Sequence, residues 1–294
     1  ATAAIAKDGK ILACISEERI LRDKEVGGFP TESIKRCLDI CNIAPGEIEG
    51  VGIATKGEPT LHNSYNKPSF IKKLFGYFSY IFPNTFPRSN FWVSLAQKIM
   101  HVFRRKNNNV DSLKNLGINA EIVYYDHHFL HAATAHLQCP WGKEKNLVIT
   151  NDGSGDAVCA TVNIGKGNAL NRIETISNYN SMGEFYSRIT QYLGMKPMSH
   201  EYKIMGLAPY AKPKYGLEAY NLIKDWFKVI EPYKFENHSG YWKWQYLKGF
   251  AKIFKTKHRF DNIAWAAQNL IEEKQTEWVK MVIKNTGIKN VVLS

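Results

Sequence analysis

The sequence DHHFLH at residues 126–131 decides which fold and which chemistry we expect from this chain. Asp126 is a residue type that commonly precedes a helix, and the alanine-rich run after the motif favours helix formation. On a helix, residues four apart are neighbours, so His127 and His131 would present their imidazoles on one face. The motif therefore predicts a helix with two nitrogen ligands in reach of one ion.

A second motif, NDGSGD at residues 151–156, follows an apolar run that predicts a buried strand. The strand would end just before Asp152 and deliver its carboxylate. Two imidazoles and one carboxylate suit a divalent transition metal, so we predict a metal site at His127, His131 and Asp152. A chance pairing of two surface or core histidines is the alternative.

Residues beside these ligands supply further candidates. Glycines let backbone N–H groups approach an anion, so Gly153, Ser154 and Gly155 are candidate phosphate-binding residues, with an ordinary turn as the alternative. His128 lies about 100° around the helix from His127. We expect it to support the metal ligands or to face the substrate, and we carry it as the candidate catalytic side chain.

The chain has 294 residues and a formal net charge of +12, with an ordinary apolar content. This length supports one large or two modest domains, and the composition excludes a disordered chain. No apolar run is long enough to span a bilayer. The five cysteines form no CxxC pair, so we expect reduced thiols and a cytoplasmic protein.

Much of the positive charge lies in an aromatic-rich segment, about residues 60–115, which we interpret as a helical insertion. Between Lys67 and Lys114, nine basic residues accompany a single acid, Asp111. The simplest interpretation is a pair of amphipathic helices with solvated lysines. A cap that binds a partner, an anionic membrane surface and nucleic acid are alternatives, with nucleic acid the least favoured.

The rest of the chain alternates strands and helices, which is typical of an α/β protein. The predicted strands are residues 2–6, 11–17, 51–54, 122–125, 147–150, 157–164, 173–179 and 291–293. The predicted helices are residues 31–42, 182–193, 216–227 and 263–284. We therefore expect two α/β halves, residues 1–144 and 145–294. The charged cluster at residues 17–24 is interpreted as either a solvated hairpin exit or an anion contact.

Several motifs together resemble the amino-terminal domain of nodulation-factor and antibiotic O-carbamoyltransferases, which is similar to the tRNA threonylcarbamoyl-transfer protein family. The matching runs are ISEER at 15–19, HHFLHAA at 127–133, NDGSGD at 151–156, KIMGLAPY at 203–210 and IAWAAQ at 263–268. The resemblance implies the fold of actin, sugar kinases and heat-shock ATPases, in which two ribonuclease-H-like halves form a nucleotide cleft.

The resemblance also implies a reaction. Carbamoyl phosphate and ATP give carbamoyl-adenylate, and the carbamoyl group then passes to a hydroxyl of a sugar-like or natural-product acceptor. The metal would sit at His127, His131 and Asp152, with iron expected first and manganese, zinc or magnesium as alternatives. Lys203 is expected near the nucleotide, with a structural role as the alternative.

The sequence also departs from the family pattern. Members carry a His-Asp pair before the first hairpin, and a Gly-Gly loop and another metal-binding aspartate after the strand at residue 291. They also have a separate carboxy-terminal domain that makes the adenylate, and Ala211 stands where they usually have glycine. We therefore expect a fragment that lacks one metal ligand and does not complete the reaction alone.

Two other classes of function stay open from the sequence. An ATP-dependent kinase of the same fold would use magnesium and would not need the histidine pair. A non-catalytic module that binds an anionic surface or nucleic acid would use the basic segment and would bind in a strongly salt-dependent way.

Overall fold

The computed structural model describes residues 1–24, 26–55, 108–141, 143–255 and 257–294. Helices and several small sheets give a mixed architecture, which confirms the predicted α/β class. The described residues separate into two compact units, one ending at His127 and one comprising His128–Ser294. This division falls earlier than the boundary predicted at residue 144, and the assignment of two halves at 1–144 and 145–294 stays a prediction.

The first unit contains the predicted amino-terminal hairpin, in which β1 and β2 pair in antiparallel fashion. A second pair, β3 and β4, is parallel. The strands are β1 (Thr2–Lys7), β2 (Lys10–Ser16), β3 (Gly50–Ile53) and β4 (Glu121–Tyr124), and the helices are α1 (Glu17–Leu21), α2 (Thr31–Cys41) and α3 (Asn108–Asn115). The basic aromatic segment predicted at residues 60–115 lies outside the described residues except for α3.

Glu17 explains part of the charged cluster at the hairpin exit. Its carboxylate is buried and accepts hydrogen bonds from the backbone N–H groups of Glu32, at 3.1 Å, and Ser33, at 2.8 Å. These groups lie in the first turn of α2, where backbone donors have no partner within the helix. Glu17 therefore caps α2, which is a structural role that the sequence interpretation did not include.

The second unit is built on a four-stranded sheet with the order β10-β5-β6-β7. Its strands are β5 (Asn146–Gly155), β6 (Val158–Lys166), β7 (Ala169–Ser177) and β10 (Val291–Leu293). The first three form an antiparallel meander, and β10 returns parallel to β5 with Val292 opposite Val148. Leu147, Val148 and Ile149 are almost completely buried, as expected for a strand covered on both faces.

Strand β5 is longer than the sequence predicted. It continues through the NDGSGD motif to Gly155, and the chain turns at Asp156 and Ala157, which both have positive φ angles. The prediction that the strand ends before Asp152 was therefore wrong. The pairing shifts register between Asn151 and Gly155, and this irregularity accommodates the glycines within the strand.

Helices and a short hairpin complete the structure. The helices are α4 (His127–Gln138), α5 (Met182–Tyr192), α6 (Glu201–Leu207), α7 (Pro213–Asn221), α8 (Gln245–Phe254) and α9 (Phe260–Thr286), and the hairpin strands are β8 (Phe227–Ile230) and β9 (Lys234–Asn237). The predicted helix at 216–227 was wrong in its second half, because the chain turns after Asn221 and pairs Phe227 with Asn237. Among the described helices, none is long and apolar enough to cross a membrane.

Candidate metal centre

Helix α4 runs alongside strand β5 in the opposite direction. Near the start of the helix, His128 contacts Thr150, and near its end, His136 contacts Asn146. The eight-residue helical interval spans about 12 Å, and the four-residue strand interval spans about 13 Å. The two intervals match, so buried histidines hold both ends of the helix against one strand.

The three predicted metal ligands lie together at one end of this helix–strand pair. One ligand atom from each of His127, His131 and Asp152 lies within 4.8 Å of the others. Nε2 of His131 lies 3.9 Å from Oδ2 of Asp152. Both side chains are about two-fifths exposed, at 39% and 42%, so an ion from solution can reach them.

The donor types and the separation of one ligand pair fit a shared divalent ion. Metal–nitrogen and metal–oxygen bonds of about 2.0–2.2 Å allow two ligand atoms on opposite sides of one ion to lie up to about 4.0–4.4 Å apart, and about 3.3–3.6 Å apart in a tetrahedral site. The 3.9 Å separation of the His131 and Asp152 atoms is inside the wider limit. A pair of ligand atoms at the outer bound of 4.8 Å would have to close by about 1.2–1.5 Å to reach the tetrahedral separation.

Hydrogen bonds on the Nδ1 atoms orient both imidazole rings. Nδ1 of His127 lies 3.3 Å from the carbonyl oxygen of Ala54, and Nδ1 of His131 lies 3.2 Å from Oγ of Ser294. A carbonyl can only accept, so Nδ1 of His127 carries the proton and Nε2 carries the lone pair that binds metals. Contacts of this kind commonly fix the tautomer of a metal-binding histidine. Sequence reasoning missed Ala54 and Ser294.

The strand segment that carries Asp152 is packed against the start of helix α5. The Asp152 carboxylate accepts a hydrogen bond from the N–H of Gly153, whose carbonyl accepts from the Ser181 hydroxyl at 2.7 Å. A Cβ atom added at Gly183 would lie 3.1 Å from Cα of Gly153. A larger residue at position 183 would therefore force the backbone at Gly153 to move by a few tenths of an ångström.

The predicted phosphate-binding residues lie in two places. In strand β5, Oγ of Ser154 accepts a hydrogen bond from Asn178, and Gly155 pairs with Val158. Lys203 is exposed on helix α6, with its ammonium 5.8 Å from the ring centroid of Tyr202. Their role in binding phosphate stays a prediction.

The predicted catalytic residue His128 is only 1% exposed. Its Nδ1 atom lies 2.8 Å from Oγ1 of Thr150, and its Nε2 atom lies 3.0 Å from the carbonyl oxygen of Val158. Both ring nitrogens therefore have partners inside the protein. This placement fits a residue that supports the site, and it does not fit a group that faces an acceptor.

Comparison with known proteins identifies the family. The family model described as the carbamoyltransferase N-terminus matches residues 1–294. The chain belongs to this family. The match confirms the resemblance that the sequence motifs indicated, and family membership supports a role in carbamoyl transfer in general.

Individual relatives extend the comparison. An uncharacterised protein of Synechocystis sp. is 30% identical over 218 residues, covering 72% of this chain and 33% of the relative. An uncharacterised protein of Methanocaldococcus jannaschii is 26% identical over 299 residues, covering 99% of this chain and 47% of the relative. The nodulation protein NolNO of Sinorhizobium fredii is 27% identical over 214 residues, covering 72% of this chain and 28% of the relative. The chain spans less than half the length of each of these relatives.

Proposed function

We propose that this chain transfers a carbamoyl group from carbamoyl-adenylate to a hydroxyl of a sugar-like or natural-product acceptor, with the help of a divalent metal ion. The observation that carries the proposal is the grouping of two imidazoles and a carboxylate within 4.8 Å in a member of the carbamoyltransferase family. His127, His131 and Asp152 would hold the ion.

The reaction needs charge neutralisation more than a protein nucleophile. Carbamoyl-adenylate is a mixed anhydride; the acceptor oxygen bonds to the carbamoyl carbon, the bond from that carbon to the phosphate oxygen breaks, and AMP leaves as an anion. The acceptor's proton passes to a base or to water. A bound divalent ion would supply Lewis-acid stabilisation of the phosphate charge.

The chain's own residues prepare this chemistry by holding the ligands in place. The Ala54 carbonyl and the Ser294 hydroxyl orient the two rings through their Nδ1 atoms. The hydrogen bond from Gly153 holds the Asp152 carboxylate. Ligands that are already held near one another need less reordering when the ion and its nucleotide bind, which lowers the cost of binding.

We also propose that each unit is a ribonuclease-H-like half of the actin and sugar-kinase type. The antiparallel meander β5-β6-β7 with β10 parallel to β5 supports this for the second unit. The hairpin followed by a parallel pair of strands supports it for the first. A fold of this type would bind the nucleotide portion of carbamoyl-adenylate, with Gly153, Ser154, Gly155 and Lys203 as the phosphate-binding candidates.

The same proposal includes the identity of the metal ion and the source of the carbamoyl-adenylate. Iron is the first choice of ion, with manganese, zinc and magnesium as alternatives, because imidazole and carboxylate ligands together suit several divalent ions. Carbamoyl phosphate and ATP would be joined in a separate adenylate-forming domain. That domain would supply the adenylate to the site described above.

The test supplies carbamoyl-adenylate to the chain and analyses the acceptor. The adenylate is generated in place from carbamoyl phosphate and ATP by an adenylate-forming domain of a relative, and sugar alcohols are screened as acceptors by mass spectrometry. We expect a carbamate ester that depends on the chain and on metal, and that is lost in His131→Ala. A phosphorylated acceptor from ATP alone would instead show a kinase, and His131→Ala would then retain activity.

A further inference from the structure

Behind the metal ligands, four buried polar side chains form a continuous hydrogen-bonded chain: His128, Thr150, Thr161 and Asn163. Each is at most 2% exposed. Nδ1 of His128 lies 2.8 Å from Oγ1 of Thr150, which lies 2.7 Å from Oγ1 of Thr161. The Asn163 amide donates to Thr161 at 2.8 Å and to the carbonyl of Val148 at 3.1 Å.

The partners at the two ends fix the direction of every hydrogen bond in the chain. The carbonyl of Val158 can only accept, so Nε2 of His128 carries a proton and donates to it. In the neutral ring, Nδ1 then accepts from the hydroxyl of Thr150. That hydroxyl accepts in turn from Thr161, whose oxygen accepts from the amide of Asn163. Each member of the chain is satisfied, and a fully satisfied buried network is rigid.

This network joins the two elements that carry metal ligands. His128 lies three residues before His131 on helix α4, and Thr150 lies two residues before Asp152 on strand β5. The contact between His128 and Thr150 therefore fixes how far the helix lies along the strand at the metal end. His136 holds the other end of the helix, away from the ligands, where its ring contacts Asn146 at 3.0 Å.

The metal centre tolerates little movement between these elements. The 3.9 Å separation of the His131 and Asp152 atoms is already close to the greatest span that one ion can bridge, about 4.0–4.4 Å. A slide of the helix by one residue moves a side chain by about 1.5 Å, which is several times larger than the difference between the measured separation and that span.

We propose that His128 and Thr150 are positioning residues of the metal centre: their buried hydrogen bond sets the separation of His131 and Asp152, and hence the affinity and geometry of the bound ion. This inference rests on the proposed metal-dependent function. It gives His128 a role that needs no contact with substrate.

The experiment uses Thr150→Val, which keeps the shape of the side chain and removes the hydroxyl. Thr150→Ser keeps the hydroxyl and serves as the conservative rescue. The matched control is Asn146→Ala, which removes the ring partner of His136 at the far end of the same helix. For wild type and these three variants, we would measure Co²⁺ affinity by competition, the Co²⁺ absorption spectrum and the free energy of unfolding.

We expect Thr150→Val to weaken Co²⁺ binding about 10–100-fold, the range found when groups that orient metal ligands are removed. Its Co²⁺ spectrum should change as well. Thr150→Ser should bind like wild type, and Asn146→Ala should lose stability while keeping its affinity and spectrum. If Thr150→Val does not fold, His128→Asn is measured in its place, with the same weakening expected.

The outcomes separate this inference from the proposed function. Wild-type protein that binds no metal would refute the proposed function. Wild-type protein that binds Co²⁺, together with a Thr150→Val protein that binds it equally well and with the same spectrum, would overturn the positioning role alone. Equal loss of affinity in Thr150→Val and Asn146→Ala would also overturn it, because general loosening of the helix would then explain both.

Discussion

The Nε2 atom of His131 lies 3.9 Å from the Oδ2 atom of Asp152, although the two residues belong to different elements. His131 lies on helix α4, and Asp152 lies near the end of strand β5, inside an irregular stretch of pairing. The separation is too long for a hydrogen bond and suits two ligands of one ion.

Removal of the charge on Glu17 should destabilise the protein. Burial disfavours the charged carboxylate, but hydrogen bonds from Ser33 and from the backbone of Glu32 outweigh it and lower the pKa of Glu17 below its ordinary value. Glu17→Gln keeps the shape and loses the charge-assisted bonds at the start of α2. We expect a loss of about 1 kcal/mol in the free energy of unfolding at neutral pH, measured by denaturant titration.

The pH dependence of this effect has a defined sign. A carboxylate whose pKa is lowered by folding stabilises the protein fully above its unfolded value, near 4.5, and this contribution disappears as the pH falls through the lower folded value. The difference between wild type and Glu17→Gln should therefore shrink below pH 4.5. Glu49→Gln, at an exposed position, is the control and should change stability by less than about 0.5 kcal/mol. If the free energies of unfolding of wild type and Glu17→Gln differed by the same amount at all pH values, the capping role of the Glu17 carboxylate would be contradicted.

A methyl group at position 183 should disturb the strand segment that carries Asp152. The added Cβ of Gly183→Ala would lie 3.1 Å from Cα and 3.3 Å from N of Gly153, which are backbone atoms that cannot rotate away. We expect a loss of about 1–3 kcal/mol in the free energy of unfolding, the range for overpacked sites.

Gly206→Ala is the matched control for this substitution. Gly206 also lies in a helix, but an added Cβ would meet no atom within 4 Å. Alanine is the better helix former by about 1 kcal/mol, so this variant should be neutral or more stable. Equal effects of Gly183→Ala and Gly206→Ala on thermal unfolding would show that the approach of α5 to Gly153 is not tight.

The cysteines should differ sharply in their reactivity toward N-ethylmaleimide. Burial raises the pKa of the Cys159 thiol well above its usual range, and burial together with Cys14 and Cys41 raises that of Cys37. The thiolate is the reactive form, so both should resist alkylation in the native state, whereas exposed Cys14 should react first. Mass spectrometry of the digested protein measures the extent of alkylation at each cysteine. Modification of Cys159 before unfolding would contradict the buried position of strand β6.

The sequence predicted best where one local pattern determines the outcome. Helix periodicity alone brings His127 and His131 onto one face, and the apolar run before the second motif is sufficient to predict a buried strand. The same reasoning found the first hairpin and the start of helix α5 at Met182. The grouping of both histidines with Asp152 was also predicted, because two imidazoles on one helix face and a carboxylate at the end of the next strand suit a divalent metal.

Features that depend on tertiary contacts were not predictable from local patterns. The carbonyl of Ala54 orients His127, but every residue carries a carbonyl, so no side chain marks this one. The extension of β5 through its glycines depends on pairing with β6, and a local turn preference predicted the opposite. Alternation along β5 puts Thr150 on the same face as Asn146, and both residues contact histidines of helix α4. This alternation could have identified Thr150 as the partner of a helical histidine.

Metal analysis of the purified chain shows whether His127 and His131 hold a divalent ion. The comparison is between wild type, the double variant His127→Ala/His131→Ala, and the control His200→Ala/His258→Ala, which removes two histidines elsewhere. After incubation with a divalent ion and gel filtration, we expect about one ion per chain in wild type and control, and a loss of most of it in the first double variant. Equal metal content in all three proteins would contradict the account.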